Sequence, residues 1–331
     1  MHHVLVIGAG TMGSVHAKGY ASMENVKLVG IADIRQEVVR PLAESLGTQA
    51  FSTYEEAIAA LERVDIVDIC LPTYMHKTYV KRAADAGKHI ICEKPLARNL
   101  EDAREMIQYC QERNVKLFVG HVLRFFHEYE NAKQLVDDGA IGQTAVVRTT
   151  RGGMFPTAWN DWYADVKNSG GLILDMIIHD FDFLRWCYGE VERVYAKSMI
   201  GRTFARMEYA LVTLRFTSGV IAHVEGTWAH TGFSMKFELG GDKGLIDYDS
   251  AKAKPLIAQF RQQKEGQGGV AVPESPLKEN PYFLELKHFL TCIERDENPI
   301  VSAEDAYKAM EIALAALESI ETGKAVTLNH G

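Results

Sequence analysis

The six residues Gly8-Ala9-Gly10-Thr11-Met12-Gly13 constrain this chain more than any other stretch, because of what flanks them. Before them, Val4-Leu5-Val6-Ile7 is a short, wholly apolar, β-branched run of the kind a parallel strand buried on both faces requires. A helix is expected to begin within the glycines. Gly8 permits the tight turn, Gly10 lets the backbone approach a pyrophosphate without a Cβ in the way, and Gly13 lets the helix pack closely on the strand. The free N–H groups at such a helix start bind phosphate. A second apolar strand, Val26 to Ala32, ends at Asp33, twenty residues beyond Gly13, the spacing at which a carboxylate reaches the ribose hydroxyls of an adenosine. Glycines alone also mark ordinary turns; strand, glycines, helix, strand and acid in that order describe a dinucleotide-binding unit. Asp33 would repel a 2′-phosphate, which favours NAD over NADP. Arg35 could soften that preference by pairing with such a phosphate, or could simply be a solvated arginine opening the next helix.

At 331 residues the chain is long for one core and comfortable for two domains. A formal charge of −8, with no basic run interleaved with aromatics, argues against a nucleic-acid surface. Cys70, Cys92, Cys110, Cys187 and Cys292 are scattered without a close pair, which suits reduced thiols and implies neither a zinc site nor a disulfide framework. The chain opens directly on a strand, leaving no room for a signal peptide, and no apolar run reaches the ~20 residues of a membrane span. A cytoplasmic enzyme of ordinary globular composition is expected, with no metal and no membrane partner.

Strand and helix alternate up to about residue 121. Apolar runs at Val64–Leu71, His89–Cys92 and Lys116–Val119 read as strands, and Tyr79–Ala86 and Leu100–Arg113 as amphipathic helices. This is the grammar of a doubly wound parallel sheet, in which ligands sit beyond the carboxyl ends of the strands. Those ends carry Gly8 to Gly13, Leu71-Pro72-Thr73 with His76, and Glu93-Lys94-Pro95. After residue 121 the pattern changes. Helices are expected over Phe125–Asp138, closed by Gly139, and over Gly170–Tyr188. Strands are expected at Ala145–Arg151, Val191–Met199, Tyr209–Phe216, Val220–Trp228, Ser234–Leu239 and Gly244–Asp249, several joined by short glycine turns. This describes an α+β domain with a mostly antiparallel sheet and helices on one face. Lys252–Pro281 reads as strand edge and loop, and helices at Tyr282–Arg295 and Ala303–Thr322 close the chain. The division is therefore 1–121 for the nucleotide domain and 122–331 for the second.

Two further groups carry chemistry. Asp175 and His179 are four positions apart. In one continuous helix they share a face with Asp182, while Leu174, Ile177, Ile178 and Phe181 face the core. A carboxylate beside an imidazole can orient the ring and stabilise its charged form, as a general base needs; a surface pair, or a core histidine satisfied by its neighbour, fits the spacing equally well. Lys94 lies between Glu93 and Pro95 at a ligand edge, and a Lys-Pro bond is a candidate cis peptide.

Together these features resemble the glucose-fructose oxidoreductase and inositol dehydrogenase (Gfo/Idh/MocA) family over essentially the whole chain. The resemblance is carried by the glycine turn followed by His16, Leu71-Pro72-Thr73 with His76, Glu93-Lys94-Pro95, Arg124-Phe125, Gly170-Gly171, Asp175/His179/Asp182, and the ending from Tyr282-Phe283 to Val326. It implies a Rossmann domain followed by an open-faced sheet domain that also serves in forming a homodimer or homotetramer. It also implies a hydride transfer between a secondary alcohol of a cyclic polyol or sugar and NAD, with NADP as an alternative. Lys94, Asp175 and His179 are the implied catalytic residues, either Lys94 or His179 acting as the base. Gly8, Gly10, Thr11, Met12, Gly13, Asp33, Ile34, Arg35, Leu71, Pro72, Thr73, His76, Glu93 and Lys94 are expected around the cofactor, and Arg124, Trp159, Trp162 and Tyr163 around the substrate beside Asp175 and His179. Many members have glycine two residues after the aspartate, where this chain has Ile177. Two other readings are an NAD-using glycosidase of the same family and a non-catalytic NAD-binding sensor; the latter has no need of a lysine, an aspartate and a histidine together.

Overall fold

The computed structural model describes residues 1–199, 206–252 and 280–329, and packs as two units. In the first, strands β1 (His2–Ile7), β2 (Val26–Ala32), β3 (Gln49–Phe51), β4 (Ile66–Ile69), β5 (His89–Glu93) and β6 (Leu117–Gly120) are all parallel. They are joined by helices α1 (Thr11–Ala21), α2 (Gln36–Ser45), α3 (Tyr54–Ala60), α4 (His76–Asp85) and α5 (Leu100–Glu112). The strand order β3-β2-β1-β4-β5-β6 reverses direction between β1 and β4, so the ligand crevice of such a sheet lies beyond the carboxyl ends of those two strands. Val4, Leu5, Val6, Ile66, Val67 and Ile69 are each 0 % exposed, as covering on both faces demands.

One layer of this unit comes from far along the chain. The helix Pro281–Arg295 buries Leu286, Phe289 and Leu290 in the same cluster as Val4, Val6 and Tyr20, and Phe289 stacks on Phe118 with ring centroids 4.9 Å apart. A division at residue 121 assigns this helix to the second domain; its apolar face groups it with the first. Pro281, expected at the end of a loop, is instead the first helical residue, where its missing N–H is no loss, and the Asn280 side chain caps the turn by accepting from Tyr282 N–H at 3.0 Å. Most of the loop expected over Lys252–Pro281 lies outside the described residues.

The second unit contains α6 (His127–Asp137), β7 (Thr144–Met154), the short α7 (Val166–Ser169) and α8 (Gly171–Asp175), and α9 (Ile178–Tyr188). Then follow β8 (Val191–Ser198), β9 (Tyr209–Phe216), β10 (Ile221–Thr227), β11 (Ala229–Gly241) and β12 (Gly244–Asp249). With Pro281–Arg295 as α10, the chain ends in α11 (Ala303–Thr322) and β13 (Val326–Thr327). The sheet runs β12-β11-β7-β10-β9-β8-β13 and is antiparallel except where β7 meets β10. Alternation sends Val147, Val194, Val212, Leu214, Val224 and Phe237 into the core. Tyr195, Leu211 and Ile221, on the opposite face, stay 40–41 % exposed.

The single helix expected over Gly170–Tyr188 is broken. α8 ends at Asp175 and α9 begins at Ile178; Ile177 N–H reaches back five residues to Leu172 O at 3.1 Å, which widens the turn. The cause lies in β10, where Ile177 fills the notch left by a glycine: a Cβ on Gly226 would come within 2.5 Å of Ile177 Cγ2. Tertiary packing overrides the helical period here. Among the described residues, no helix is long and apolar enough to cross a membrane.

Candidate active site

The glycine turn follows β1. Gly8 has φ +98°, and a Cβ there would lie 2.4 Å from Cys70 O, so no other residue fits. A Cβ on Gly13 would lie 1.8 Å from Gly8 O, which fixes how closely α1 passes the turn. Gly10 differs: nothing lies within 4 Å of the position its Cβ would take, so this side of the turn is open. Gly10 is the N-cap of α1 and offers no side-chain acceptor, and the first turn, with Thr11 and Met12, contains no acid. That is a set of backbone donors suited to an anionic group, and it fits a dinucleotide pyrophosphate.

Asp33, just past β2, accepts from Ala9 N–H at 2.7 Å, which ties it to the same turn. Arg35 forks onto its two oxygens at 3.0 and 2.6 Å and adds its backbone N–H at 2.8 Å. Burial opposes the carboxylate charge, but the Arg35 guanidinium and the two N–H groups outweigh it and hold the pKa of Asp33 below its ordinary value. Arg35 is thus paired, and not free to meet a phosphate while this pair holds. Ile34 between them is 63 % exposed.

Beyond β4, Leu71 and Pro72 lead into a 3₁₀ turn, Thr73–Met75. His76, expected to touch the cofactor, is 0 % exposed: Nε2 lies 2.8 Å from Leu71 O and Nδ1 3.0 Å from Pro95 O. It staples two turns together rather than presenting its ring to a ligand, and burial lowers its pKa. Beyond β5, Lys94 is half-buried and the Lys94–Pro95 peptide is cis. Glu93 is 7 % exposed, and its Oε2 accepts from Lys94 N–H at 3.0 Å. Its carboxylate therefore faces the protein interior and not a ligand. A dent of about 460 Å³ in this unit lies at the opposite, amino ends of the strands, between Met1, Val64 and His89.

Arg124, expected to line the substrate, is 4 % exposed; Nη1 donates to Ile300 O at 2.7 Å and Nη2 lies 3.4 Å from Asp305. It anchors the segment between α10 and α11.

In the second unit, Asp175 ends α8 and is 6 % exposed, whereas His179, in the first turn of α9, is half-buried. Asp182 is 1 % exposed, so the shared open face of a continuous helix does not form. The sequence patterns missed two groups around them. Glu208 accepts from Leu172 N–H at 3.0 Å, capping α8 in place of Gly170; burial and the nearby Asp175 charge raise its pKa. Arg151 on β7 donates from Nε to Asp180 Oδ2 at 2.6 Å, both residues being at most 2 % exposed. Trp159, Trp162 and Tyr163 lie in a 3₁₀ segment, Trp159–Ala164, where Asn160 and Asp161 have positive φ. Trp159 is 41 % exposed and Tyr163 6 %, with the Trp162 and Tyr163 rings 4.0 Å apart. Of the three, the exposed Trp159 has the freest face.

A parallel sheet with an open glycine turn at its switch point, and a lysine at the end of a neighbouring strand, defines an NAD-linked oxidoreductase domain. Residues 2–121 match the oxidoreductase family model with an NAD-binding Rossmann fold, and residues 129–247 match the GFO/IDH/MocA C-terminal domain; the chain belongs to that family. It is 32 % identical to myo-inositol 2-dehydrogenase of Thermotoga maritima over 98 % of both chains. Among solved structures, it superposes on GenD2 of gentamicin A biosynthesis in complex with NAD with a TM-score of 0.88, at 25 % identity over 99 % of this chain and 97 % of that one. The scyllo-inositol dehydrogenase of Lactobacillus casei with bound NAD(H) and scyllo-inositol gives a TM-score of 0.80, at 26 % identity over 99 % of both chains.

Proposed function

We propose that this protein is an NAD-dependent dehydrogenase that oxidises one secondary alcohol of a cyclic polyol, inositols leading and pyranose sugars next. The observation that carries this reading is Lys94, whose backbone N–H is held by a buried carboxylate at the carboxyl end of β5 in the unit that bears the open glycine turn. Full-length relatives that act on inositols support the substrate class. When bound, NAD accepts a hydride at nicotinamide C4. The chain's own side chains then have to handle the alcohol. His179 takes the hydroxyl proton, and Lys94 donates to the same oxygen as negative charge develops on it. Asp175 accepts from an adjacent hydroxyl and so sets which ring carbon is presented. Trp159 covers an apolar face of the ring. With Lys94 as base instead, His179 becomes the donor and the proton count is unchanged. Two or four copies associate through the open face of the β8–β9–β10 sheet, where Tyr195, Leu211 and Ile221 are exposed.

The test is NADH formation, followed by absorbance, across inositols, aldoses and sugar acids. Turnover with an inositol supports the reading. A protein that binds NAD and reduces it with none of these substrates refutes it.

A further inference from the structure

Asp68 is a carboxylate in the middle of a strand buried on both faces, and the dinucleotide reading gives it no task. It is 0 % exposed, as is His16 on α1. Asp68 Oδ2 lies 2.8 Å from His16 Nδ1 and accepts from Tyr20 O–H at 2.7 Å, while the Cys70 thiol donates to Oδ1 at 3.4 Å. On the other edge of the ring, His16 Nε2 lies 3.3 Å from Glu93 Oε1, an ion-pair contact without the alignment of a hydrogen bond. Glu93 Oε2 then accepts from Lys94 N–H at 3.0 Å. Gly120, the register partner of Glu93 on β6, leaves room for this carboxylate, since a Cβ there would stand 3.3 Å from Oε1. These contacts link α1, β4 and β5 to the turn of Lys94, by hydrogen bonds except for the His16–Glu93 ion pair.

Two buried carboxylates bracket one imidazole. A neutral ring leaves at least one of them uncompensated away from water; a charged ring serves both. Burial alone lowers the pKa of His16, but the Cys70 sulfur and the Asp68 carboxylate outweigh it and hold it well above the ordinary value. Burial and Asp68 also push the Cys70 thiol up, so it stays protonated and Asp68 supplies the charge. The groups facing the ring are thus Asp68 and Cys70 from β4 and its end, and Glu93 from β5. Tyr20 from α1 reaches it through Asp68, with Glu285 of α10 acting on Tyr20 in turn. His16, Asp68 and Cys70 bring ligand atoms within 4.8 Å of one another, but their mutual hydrogen bonds already account for that proximity.

We propose that His16 is a positioning residue for Lys94: by bracing the Glu93 carboxylate from behind, it fixes the turn whose backbone N–H that carboxylate holds, and so ties the glycine-turn helix to the lysine. The proposal rests on Lys94 being a reacting group, and its test separates the two. Hydrogen exchange at the Lys94 amide, kcat, KM and NAD affinity are measured for the full-length His16→Asn, Glu93→Gln and doubly substituted proteins. His16→Asn is expected to speed exchange at the Lys94 amide by about tenfold, the scale of one weakened charge-assisted hydrogen bond. It is expected to lower kcat by roughly 30-fold, with KM and NAD affinity within about twofold of the parent. Glu93→Gln should reproduce the kcat loss, and the double variant should be no worse than the poorer single one by more than about threefold, as for residues acting in series.

Unchanged kcat and Lys94 amide exchange in folded His16→Asn overturn the proposal, as do losses that multiply in the double variant. Should His16→Asn fail to fold, unchanged kcat in Glu93→Gln overturns it instead. Full turnover in Lys94→Ala defeats the reacting role proposed for Lys94, whereas the exchange result at the Lys94 amide stands apart from that outcome.

Discussion

Lys94 follows Glu93 and His179 precedes Asp180, so in both units the candidate reacting side chain is the sequence neighbour of a buried carboxylate. The cations opposite those carboxylates differ. In the first unit it is His16, shared between Glu93 and Asp68; in the second it is Arg151, whose Nε donates to one oxygen of Asp180 and whose Nη2 lies 3.5 Å from the Tyr129 hydroxyl. A guanidinium stays charged at every accessible pH; burial opposes the charge of Arg151, but Asp180 and Tyr129 beside it outweigh that and raise its pKa. An imidazolium is charged only while its carboxylates keep it so. The first brace therefore depends on its partners and the second does not. The first also ends on the backbone of the lysine itself, whereas Arg151–Asp180 fixes the opening turn of α9 as a whole.

The largest effect that bears on this contrast is the loss of the braced groups themselves. Lys94→Ala should lower kcat by about 10²–10⁴-fold, the range for removing a general acid–base or oxyanion-stabilising group, while calorimetry shows NAD affinity little changed. His179→Ala should fall in the same range. If either variant turns over near the parental rate, its brace serves folding and not chemistry.

Next in size is Arg151→Met. Leaving Asp180 buried without its cation should cost about 3–5 kcal/mol of stability, read as a lower urea midpoint, and adding Asp180→Leu should recover most of it. A loss under about 1 kcal/mol would mean that water reaches Asp180 and that this brace is not rigid.

How much of this was legible in the sequence follows from where each signal resides. The parallel sheet was readable because a strand covered on both faces must be apolar throughout, and the ends of β2, β9 and β12 coincide with those expected. The glycine turn was readable because only glycine fits Gly8 and Gly13. β3 and α3 were not, at three and seven residues with little periodicity to show. The placement of α10 is invisible to any local pattern, since an amphipathic helix does not say which core it joins. The break at Met176–Ile177 depends on Gly226, fifty positions away. His76 and Arg124 are expected at the ligand from their place beyond strand ends and from the family resemblance; that each also meets a backbone carbonyl, Leu71 O and Ile300 O, is a tertiary fact that no local pattern carries. Asp68 is the missed signal that the sequence did offer, an acid inside Ile66-Val67-Asp68-Ile69, where a buried strand tolerates one only if a partner is waiting.

A third pair sets the exposed end of the comparison. Arg35 is partly open to solvent, with 24 % of its side chain exposed, so its fork on Asp33 can exchange for another partner where Arg151 on Asp180 cannot. Asp33→Ala removes the anion that disfavours a 2′-phosphate and releases Arg35 toward it. The ratio of NADP to NAD affinity should rise by about tenfold or more, as expected for one charge-assisted interaction gained and one repulsion lost. Calorimetry with both cofactors checks this. An unchanged ratio would place Arg35 out of reach of the adenosine and make the pair structural like the other two.

The smallest effect separates two histidines in one unit. His16 and His76 are both 0 % exposed, yet their pKa values move in opposite directions from 6.5. Burial disfavours a charged His76 ring and outweighs the Leu71, Leu96 and Pro95 carbonyls and the Glu93 carboxylate, all of which favour it, so its pKa lies below the ordinary value. Below pH about 6.5 the unfolded chain takes up a proton at this residue that the folded chain refuses, so its stabilising contribution shrinks as pH falls toward the depressed folded value. His16 carries the opposite sign. Its contribution is whole below pH about 6.5 and drains away as pH rises through the raised folded value. Urea midpoints against pH should therefore show the deficit of His76→Gln narrowing on the acid side and that of His16→Asn narrowing on the alkaline side. Deficits that narrow on the same side would mean that burial alone sets both charges, and the carboxylate bracket around His16 would lose its electrostatic meaning.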